Sequence, residues 1–185
     1  MIAPMDALLI VLPDPSLVVL VGAAGSGKST FAARQFAPHE VLSSDAFRAR
    51  IAGDATDQRA TRPAFAALHR ELERRLAARL LTVVDATSVT PYARRGLLGR
   101  AGAAGVPAVA IVLDLPPDLV RERNRARDGR AAIPEQAVDT QLADLARSVA
   151  SEGEAGWPGF AAVHRLLTAA DVGRVVVRRE PATRG

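Results

Sequence analysis

The 185-residue chain contains no cysteine, which excludes disulfide staples, thiolate metal sites and a cysteine nucleophile. It contains one lysine among 24 basic residues, so any chemistry that needs an ammonium group must use Lys28. Aromatic residues make up only 4% of the chain, and the core must therefore be built mainly from aliphatic side chains. No apolar run approaches the roughly 20 residues that a membrane-spanning helix requires. The opening MIAPMD carries no basic cluster ahead of the short apolar stretch Ala7 to Leu12. The expectation is a cytoplasmic protein without a signal peptide or a membrane partner. Acidic residues number 20, leaving a net charge of +4, which is compatible with a polyanionic partner without demanding one. With 49% hydrophobic residues, the length suits one domain, residues 1–185, with a sizeable core.

What is present is organised around LVVLVGAAGSGKST, Leu17 to Thr30. Val18 to Val21 form an apolar run short enough for a buried parallel strand, and Gly22 to Ser29 then fits G-x-x-x-x-G-K-[ST]. That pattern is a phosphate-binding loop. Its glycines, Gly22, Gly25 and Gly27, let successive N–H groups turn inward toward an anion, with Ser26 between them and Thr30 in the first turn of the following helix. The free donors and the positive dipole end of that helix add to the site. Lys28 reaches the β- and γ-phosphates of ATP, and the Ser29 hydroxyl is placed to ligate Mg²⁺.

Downstream, Val41 to Ser43 is expected to be a strand that ends just before Asp45, which sets this carboxylate at the carboxyl edge of the sheet beside the loop, with Arg48 on the same helical face. The polar, aperiodic Gly53 to Arg62 reads as a loop over the site. Phe65, Leu68, Leu72 and Leu76 recur at helical spacing from Pro63 onward. His69 lies beside that stripe and reads as structural. Leu81 to Val84 is a third strand ending in Asp85, the position of a carboxylate that holds Mg²⁺ directly or through water. A helix over Pro91 to Ala104, a strand over Val109 to Leu113, and further strands at Val163 to Leu167 and Val175 to Val177 follow, with a loop over Gly153 to Gly159. Strands alternating with helices imply an α/β phosphate-loop NTPase fold, a parallel β-sheet with helices on both faces.

Between Pro117 and about Ala150 the chain reads as an Arg-rich helical lid. Arg121, Arg123, Arg125 and Arg127 crowd one helix, expected to end at Asp128-Gly129 with Arg130 just beyond, and Arg123 and Arg127 lie on one side of it at i, i+4. Such guanidinium groups, swung over bound ATP, would stabilise the charge that develops on a transferring phosphoryl group, an effect worth roughly 10³ to 10⁵ in rate.

Taken together, GAAGSGKST, SSDAFR, VVDAT and ERNRARDGR resemble the kinase module of the bacterial polynucleotide kinase-phosphatase RNA-repair enzymes and, more loosely, the phage polynucleotide 5′-kinase. The resemblance is densest from Leu17 to Thr90 and fades between about Ala131 and Gly159. It implies ATP-dependent phosphorylation of the 5′-hydroxyl end of RNA or DNA. It implies Lys28, Asp45, Arg48 and Arg123 as catalytic residues, Asp45 being the general base, with Arg123 and Arg127 on the nucleotide and Ser29 and Asp85 on the metal. Family enzymes also carry phosphatase and ligase modules, which makes such modules expected partners. A ligase of that type needs a lysine nucleophile, and here the only lysine is committed to the phosphate loop.

Two other readings share these residues. A kinase of the same architecture could act on a small hydroxyl acceptor, such as a sugar acid, an antibiotic or a nucleotide sugar, in which case a closed acceptor pocket is expected instead of an open basic surface. A nucleotide-dependent switch needs no base for an incoming hydroxyl, and Asp45 with Arg48 speaks against it.

Overall fold

Seven strands and seven α-helices alternate along the described residues, 7–52, 61–127, 132–151 and 157–182, of the computed structural model. The strands are β1 (Leu8–Asp14), β2 (Leu17–Val21), β3 (Val41–Ser43), β4 (Thr82–Asp85), β5 (Ala108–Leu113), β6 (Ala162–Leu166) and β7 (Val175–Pro181). The helices are α1 (Lys28–Gln35), α2 (Ser44–Ala52), α3 (Thr61–Ala77), α4 (Pro91–Ala103), α5 (Pro117–Arg125), α6 (Glu135–Ser151) and α7 (Ala169–Arg174).

Five strands form one sheet in the order β3-β4-β2-β5-β6, with every neighbouring pair parallel. β2, β4 and β5 are buried at every position, as strands covered on both faces must be, and for that reason β2 and β5 read in the sequence as unbroken apolar runs. Their side chains nonetheless alternate between two cores. Leu17, Val19 and Val21 pack with Leu68, Leu72 and Leu76 of α3, with Leu97 of α4 and with Leu145 of α6. Val18 and Leu20 face the other way, onto Phe31 and Ala32 of α1. The fold is the expected phosphate-loop α/β architecture, and it brings the carboxyl ends of β2, β3 and β4 side by side: Leu20 pairs with Asp85, and Ser43 pairs with the same Asp85 from the other side.

Several boundaries differ from expectation. β7 does not extend the main sheet. It runs from Val175 to Pro181 and pairs in parallel with β1 in a separate two-stranded sheet that closes the second core with Ile10, Leu12 and Val175. Only the short α7 separates β6 from β7, and a parallel neighbour to β6 would need a crossover of about a dozen residues. β1 continues beyond the apolar stretch through Pro13 to Asp14, because a strand paired on one side alone tolerates a missing N–H. α3 starts at Thr61, so Thr61 and Arg62 belong to its first turn rather than to the preceding loop; the rest of that loop, 53–60, lies outside the described residues. Of the Gly153 to Gly159 stretch, 153–156 lie outside them too, while Trp157 is buried against Phe160 and under the Arg94 guanidinium. His69 is half-buried beside the Phe65 ring, and burial holds its imidazole below the usual histidine range.

The small sheet is fastened to the rest by the Gln35 side chain of α1, which bonds the β7 backbone at Val175 and Val177, and by an ion pair. Both guanidinium Nη atoms of Arg179 on β7 donate to the Glu40 carboxylate, at 2.7 and 2.8 Å, and Glu40 Oε2 also accepts the Ala37 N–H at 2.9 Å. The bonds from Arg179 hold the Glu40 carboxyl below its ordinary range despite burial. Glu40→Ala is expected to cost about 1–3 kcal/mol, since it strands a guanidinium and a backbone donor. The group is ionised more readily in the folded chain. Its contribution is therefore complete above the unfolded value of 4.5 and is lost as the pH falls through the lower folded value. In urea titrations of wild type and variant, the difference seen at neutral pH should shrink as the pH is taken progressively below 4.5.

Candidate nucleotide and phosphoryl-transfer site

Gly22 to Ser29 wraps from the end of β2 into α1. α1 begins at the left-handed Gly27 with no side-chain cap, which leaves the N–H groups of its first turn to an incoming anion. The loop is fixed from two sides. The Gly22 N–H donates to the Thr87 carbonyl at 3.1 Å, tying the loop to the segment after β4, and the Ala24 N–H donates to Gln141 Oε1 of α6 at 2.8 Å. Gly25, at φ +90°, has to be glycine twice over: a Cβ there would be strained and would lie 2.4 Å from the Val120 carbonyl of α5. α5 thus rests directly on the loop backbone.

Lys28 is buried, and its Nζ donates to the carbonyls of Gly22 at 2.8 Å and Ala23 at 2.9 Å. Burial lowers its pKa to about 8, with Asp85 and Asp45 pulling it up and Arg127 pushing it down. At neutral pH it remains mainly cationic, and a phosphate entering the loop would favour that form further. Ser29 Oγ donates to Asp85 Oδ2 at 2.7 Å. Two hard oxygen donors on adjoining elements, one hydroxyl and one carboxylate, are what Mg²⁺ takes when water and phosphate oxygens complete its shell. Among the described residues no group of three His, Cys, Asp or Glu side chains could cage a metal without such help. The residues therefore fit a nucleotide-bound Mg²⁺.

Asp45 lies in the first turn of α2, immediately past β3, and is 61% exposed. Arg48 Nη2 meets its Oδ1 at 2.9 Å while keeping only 12% of its own side chain exposed. The register Ser43 to Asp85 sets this pair one strand away from the Ser29 and Asp85 oxygens, with the acid turned to solvent and the base of the arginine covered.

The arginine cluster divides into two groups. Arg121 pairs with Asp118 and Asp139, and Arg125 with Glu135, so these two staple α5 to α6. Arg123 and Arg127 are in no ion pair among the described residues and line a cleft of about 330 Å³ with Gly25, Gly27, Thr30 and Val172. Arg130 lies outside the described residues, as do Asp128 and Gly129. The helical spacing expected of Arg123 and Arg127 does not hold. α5 ends at Arg125 because buried Asn124 donates to and accepts from the backbone of Ile133 (2.8 and 3.1 Å), drawing the chain back toward α6. The two arginines still meet at the cleft. Gly22, Ser26, Lys28 and Ser29 belong to the loop as expected, and Thr30 lines the cleft. Gln141 and the α7 residues Ala169, Val172 and Gly173 were not legible in sequence: α7 is too short for a periodic signal, and a glutamine contacting a loop far away in sequence leaves none.

The sheet order, the loop and the Ser29–Asp85 pair define a phosphate-loop NTPase fold. The chain belongs to the AAA_33 family, described as an AAA domain, whose model matches residues 17–150. No curated protein matches it in sequence. Among solved structures, it is similar to the Pnkp1/Rnl/Hen1 RNA repair complex at 22% identity and a TM-score of 0.64, over 76% of this chain and 47% of that one. A sugar kinase from Janibacter sp. HTCC2649 is similar at 24% identity and a TM-score of 0.55, over 83% and 85% of the two chains. A gluconokinase from Sinorhizobium meliloti 1021 is similar at 22% identity and a TM-score of 0.52, over 88% and 87%. These similarities concern the fold. Among the described residues, no helix is long and apolar enough to cross a membrane.

Proposed function

We propose that the protein is a polynucleotide 5′-hydroxyl kinase that transfers the γ-phosphate of ATP to the end of an RNA or DNA strand. The observation that carries this reading is the Asp45–Arg48 pair, ionic at 2.9 Å and open to solvent on the acid, beside the Ser29–Asp85 pair. An acid so exposed suits an acceptor whose bulk stays outside the protein. The surroundings suit a polyanion: α2, α3 and α4 all begin at this carboxyl edge, presenting their positive ends, and Arg62 and Arg95 are exposed near two of those ends.

Phosphoryl transfer asks little covalent chemistry of a protein; it asks for in-line positioning, charge neutralisation and an acceptor for one proton. The loop amides and Lys28 hold the β- and γ-phosphates. Ser29 and Asp85 would hold Mg²⁺, which supplies charge neutralisation between those phosphates when bound. Asp45 accepts the hydrogen bond of the 5′-hydroxyl, orients its oxygen toward the γ-phosphorus and takes the proton as the new O–P bond forms and the bond to the β,γ-bridging oxygen breaks. Arg48 positions Asp45 and meets the phosphoryl oxygens, and Arg123, with Arg127, closes from α5 and its extension as the lid side of the site. Arg123→Ala is expected to lower kcat by about 10³-fold with a much smaller change in ATP affinity, because its charge is matched to the transition state more than to bound ATP. Stopped-flow nucleotide binding beside single-turnover transfer separates the two.

The reading is tested by following transfer from [γ-³²P]ATP with Mg²⁺ to a 5′-hydroxyl oligonucleotide at two salt concentrations, beside gluconate and a panel of sugars. Labelling of the oligonucleotide with a KM that rises steeply with salt supports it, since only a polyanion releases counterions on binding. Labelling of a small hydroxyl acceptor alone replaces it with a small-molecule kinase. Phosphatase and ligase modules are proposed as partners on the same reading, because a 5′-phosphate end is what a ligase consumes.

A further inference from the structure

The chain has seven aromatic residues, five Phe, one Trp and one Tyr. Six are used in packing: Phe31, Phe36 and Trp157 are buried in the two cores, and Phe47, Phe65 and Phe160 pack against them. The seventh, Tyr92, is 83% exposed, far more than any other large apolar side chain described. Its position explains what packing does not. Tyr92 lies in the first turn of α4, directly after the Thr90 cap and Pro91. That turn follows the segment Asp85 to Thr90, which carries Asp85 and the Thr87 carbonyl that accepts the Gly22 N–H. α4 therefore starts at the edge of the sheet where Lys28, Asp45 and Asp85 gather. Arg95, one helical turn further and exposed, stands on the same side of α4 as Tyr92.

We propose that Tyr92 is a base-stacking residue for the acceptor strand, and that Arg95 beside it meets a phosphate of that strand; this rests on the 5′-end kinase reading above. An exposed aromatic ring beside a guanidinium is the combination that holds single-stranded nucleic acid without reading its sequence, because every base has a π-face and every linkage a charge. An open acceptor end needs such a hold. Asp45 contacts only the terminal hydroxyl, and the helix N-termini and Arg62 meet charge alone, so nothing else so far described would hold a base while the phosphoryl group moves. The ring need not be hydrogen-bonded through its hydroxyl, so phenylalanine should serve equally well.

The test compares wild type, Tyr92→Ala, Tyr92→Phe and Arg95→Ala on a 5′-hydroxyl oligonucleotide and on the same strand with an abasic site at the first or second position. Tyr92→Ala is expected to raise the oligonucleotide KM about 5- to 100-fold, the loss falling on KM rather than kcat or the KM for ATP, while Tyr92→Phe stays at the wild-type value. One of the two abasic strands should raise the wild-type KM to the level of the alanine variant, with the variant adding nothing further on that strand. Arg95→Ala should reduce the slope of log KM against log salt by about one phosphate contact. An unchanged KM in Tyr92→Ala, or an equal loss on base-containing and both abasic strands, overturns the stacking role while wild-type labelling leaves the kinase reading standing. A wild type that labels no oligonucleotide removes both. Because the side chain is exposed, a folding defect is not the expected cause of any loss, and circular dichroism melting of each variant checks it.

Discussion

Lys28→Ala is expected to lower kcat/KM for transfer by about 10³-fold or more while the chain still folds. The loss is large because Lys28 is the one ammonium in a protein that otherwise uses arginine, and it is held inside the loop, not at its rim. Its Nζ lies on the Gly22 and Ala23 carbonyls, so it needs only a short swing to exchange two neutral acceptors for phosphate oxygens. A charge-assisted bond in a water-poor site is worth far more in the transition state than in solvent, and removal of one such donor costs about 10²- to 10³-fold in comparable sites. Stability should change little, because two effects oppose. The variant loses the bonds to the two carbonyls, but it also removes a cation whose burial lowers its pKa to about 8. Lys28→Arg is the sharper control. The guanidinium keeps the charge but is wider and planar, and the loop around Gly25 is closed by the Val120 carbonyl, so activity should stay at least 10²-fold below wild type. Single-turnover transfer, isothermal titration with ATP and thermal melting on the three proteins would show it. Near-wild-type turnover in Lys28→Arg would mean that charge alone suffices there.

How far the site was legible in sequence follows from how local each signal is. Loop and strand β2 are contiguous, and their chemistry is written in glycines, one lysine and two serines, so they could be read directly. Asp45 and Asp85 could be placed as well, since Asp85 ends a strand, Asp45 follows one by two residues, and the carboxyl ends of parallel strands share an edge. The division of labour among the arginines was not readable. Arg121, Arg123 and Arg125 alternate along a few residues of the same composition. Only the acids that α6 brings opposite, Asp139 and Glu135, show that Arg121 and Arg125 are staples and that Arg123 is left for the cleft. The early stop of α5 has the same origin, a pair of bonds between Asn124 and Ile133 that no periodicity reports. β7 was legible as a strand, but its pairing with β1 was not, because strand pairing depends on the length of the connection and not on the strand's own residues. Tyr92 is not distinguishable in sequence for a simpler reason. An exposed ring and a buried ring look alike until burial is known, and α4 carries its apolar positions, Leu97 and Ala101, on a different face.

Asp45→Asn is expected to lower kcat by about 10²- to 10⁴-fold with little change in the KM for ATP. Asparagine keeps the size of the side chain and a carbonyl oxygen to receive the 5′-hydroxyl, but it does not take up the proton. The fold should tolerate the change. Asp45 is 61% exposed, and the loss of a negative charge in the first turn of α2 costs only about 0.3–1 kcal/mol. ATP binding should be nearly untouched because Asp45 does not line the cleft that Arg123 and Arg127 share with the loop. The acceptor side alone is affected, and the KM for the 5′-hydroxyl strand should rise modestly at most, since Tyr92, Arg95 and the helix N-termini still hold it. Asp45→Glu adds a discriminating arm: it restores the base but displaces it by one methylene, so it should recover part of the rate, whereas a purely electrostatic role for the carboxylate would tolerate that displacement fully. If Asp45→Asn turned over near the wild-type rate, the proton would have to leave directly to a phosphoryl oxygen. Asp45 would then be a partner that positions Arg48, and Arg48→Lys, with the charge kept and the 2.9 Å pairing geometry altered, would carry the larger defect.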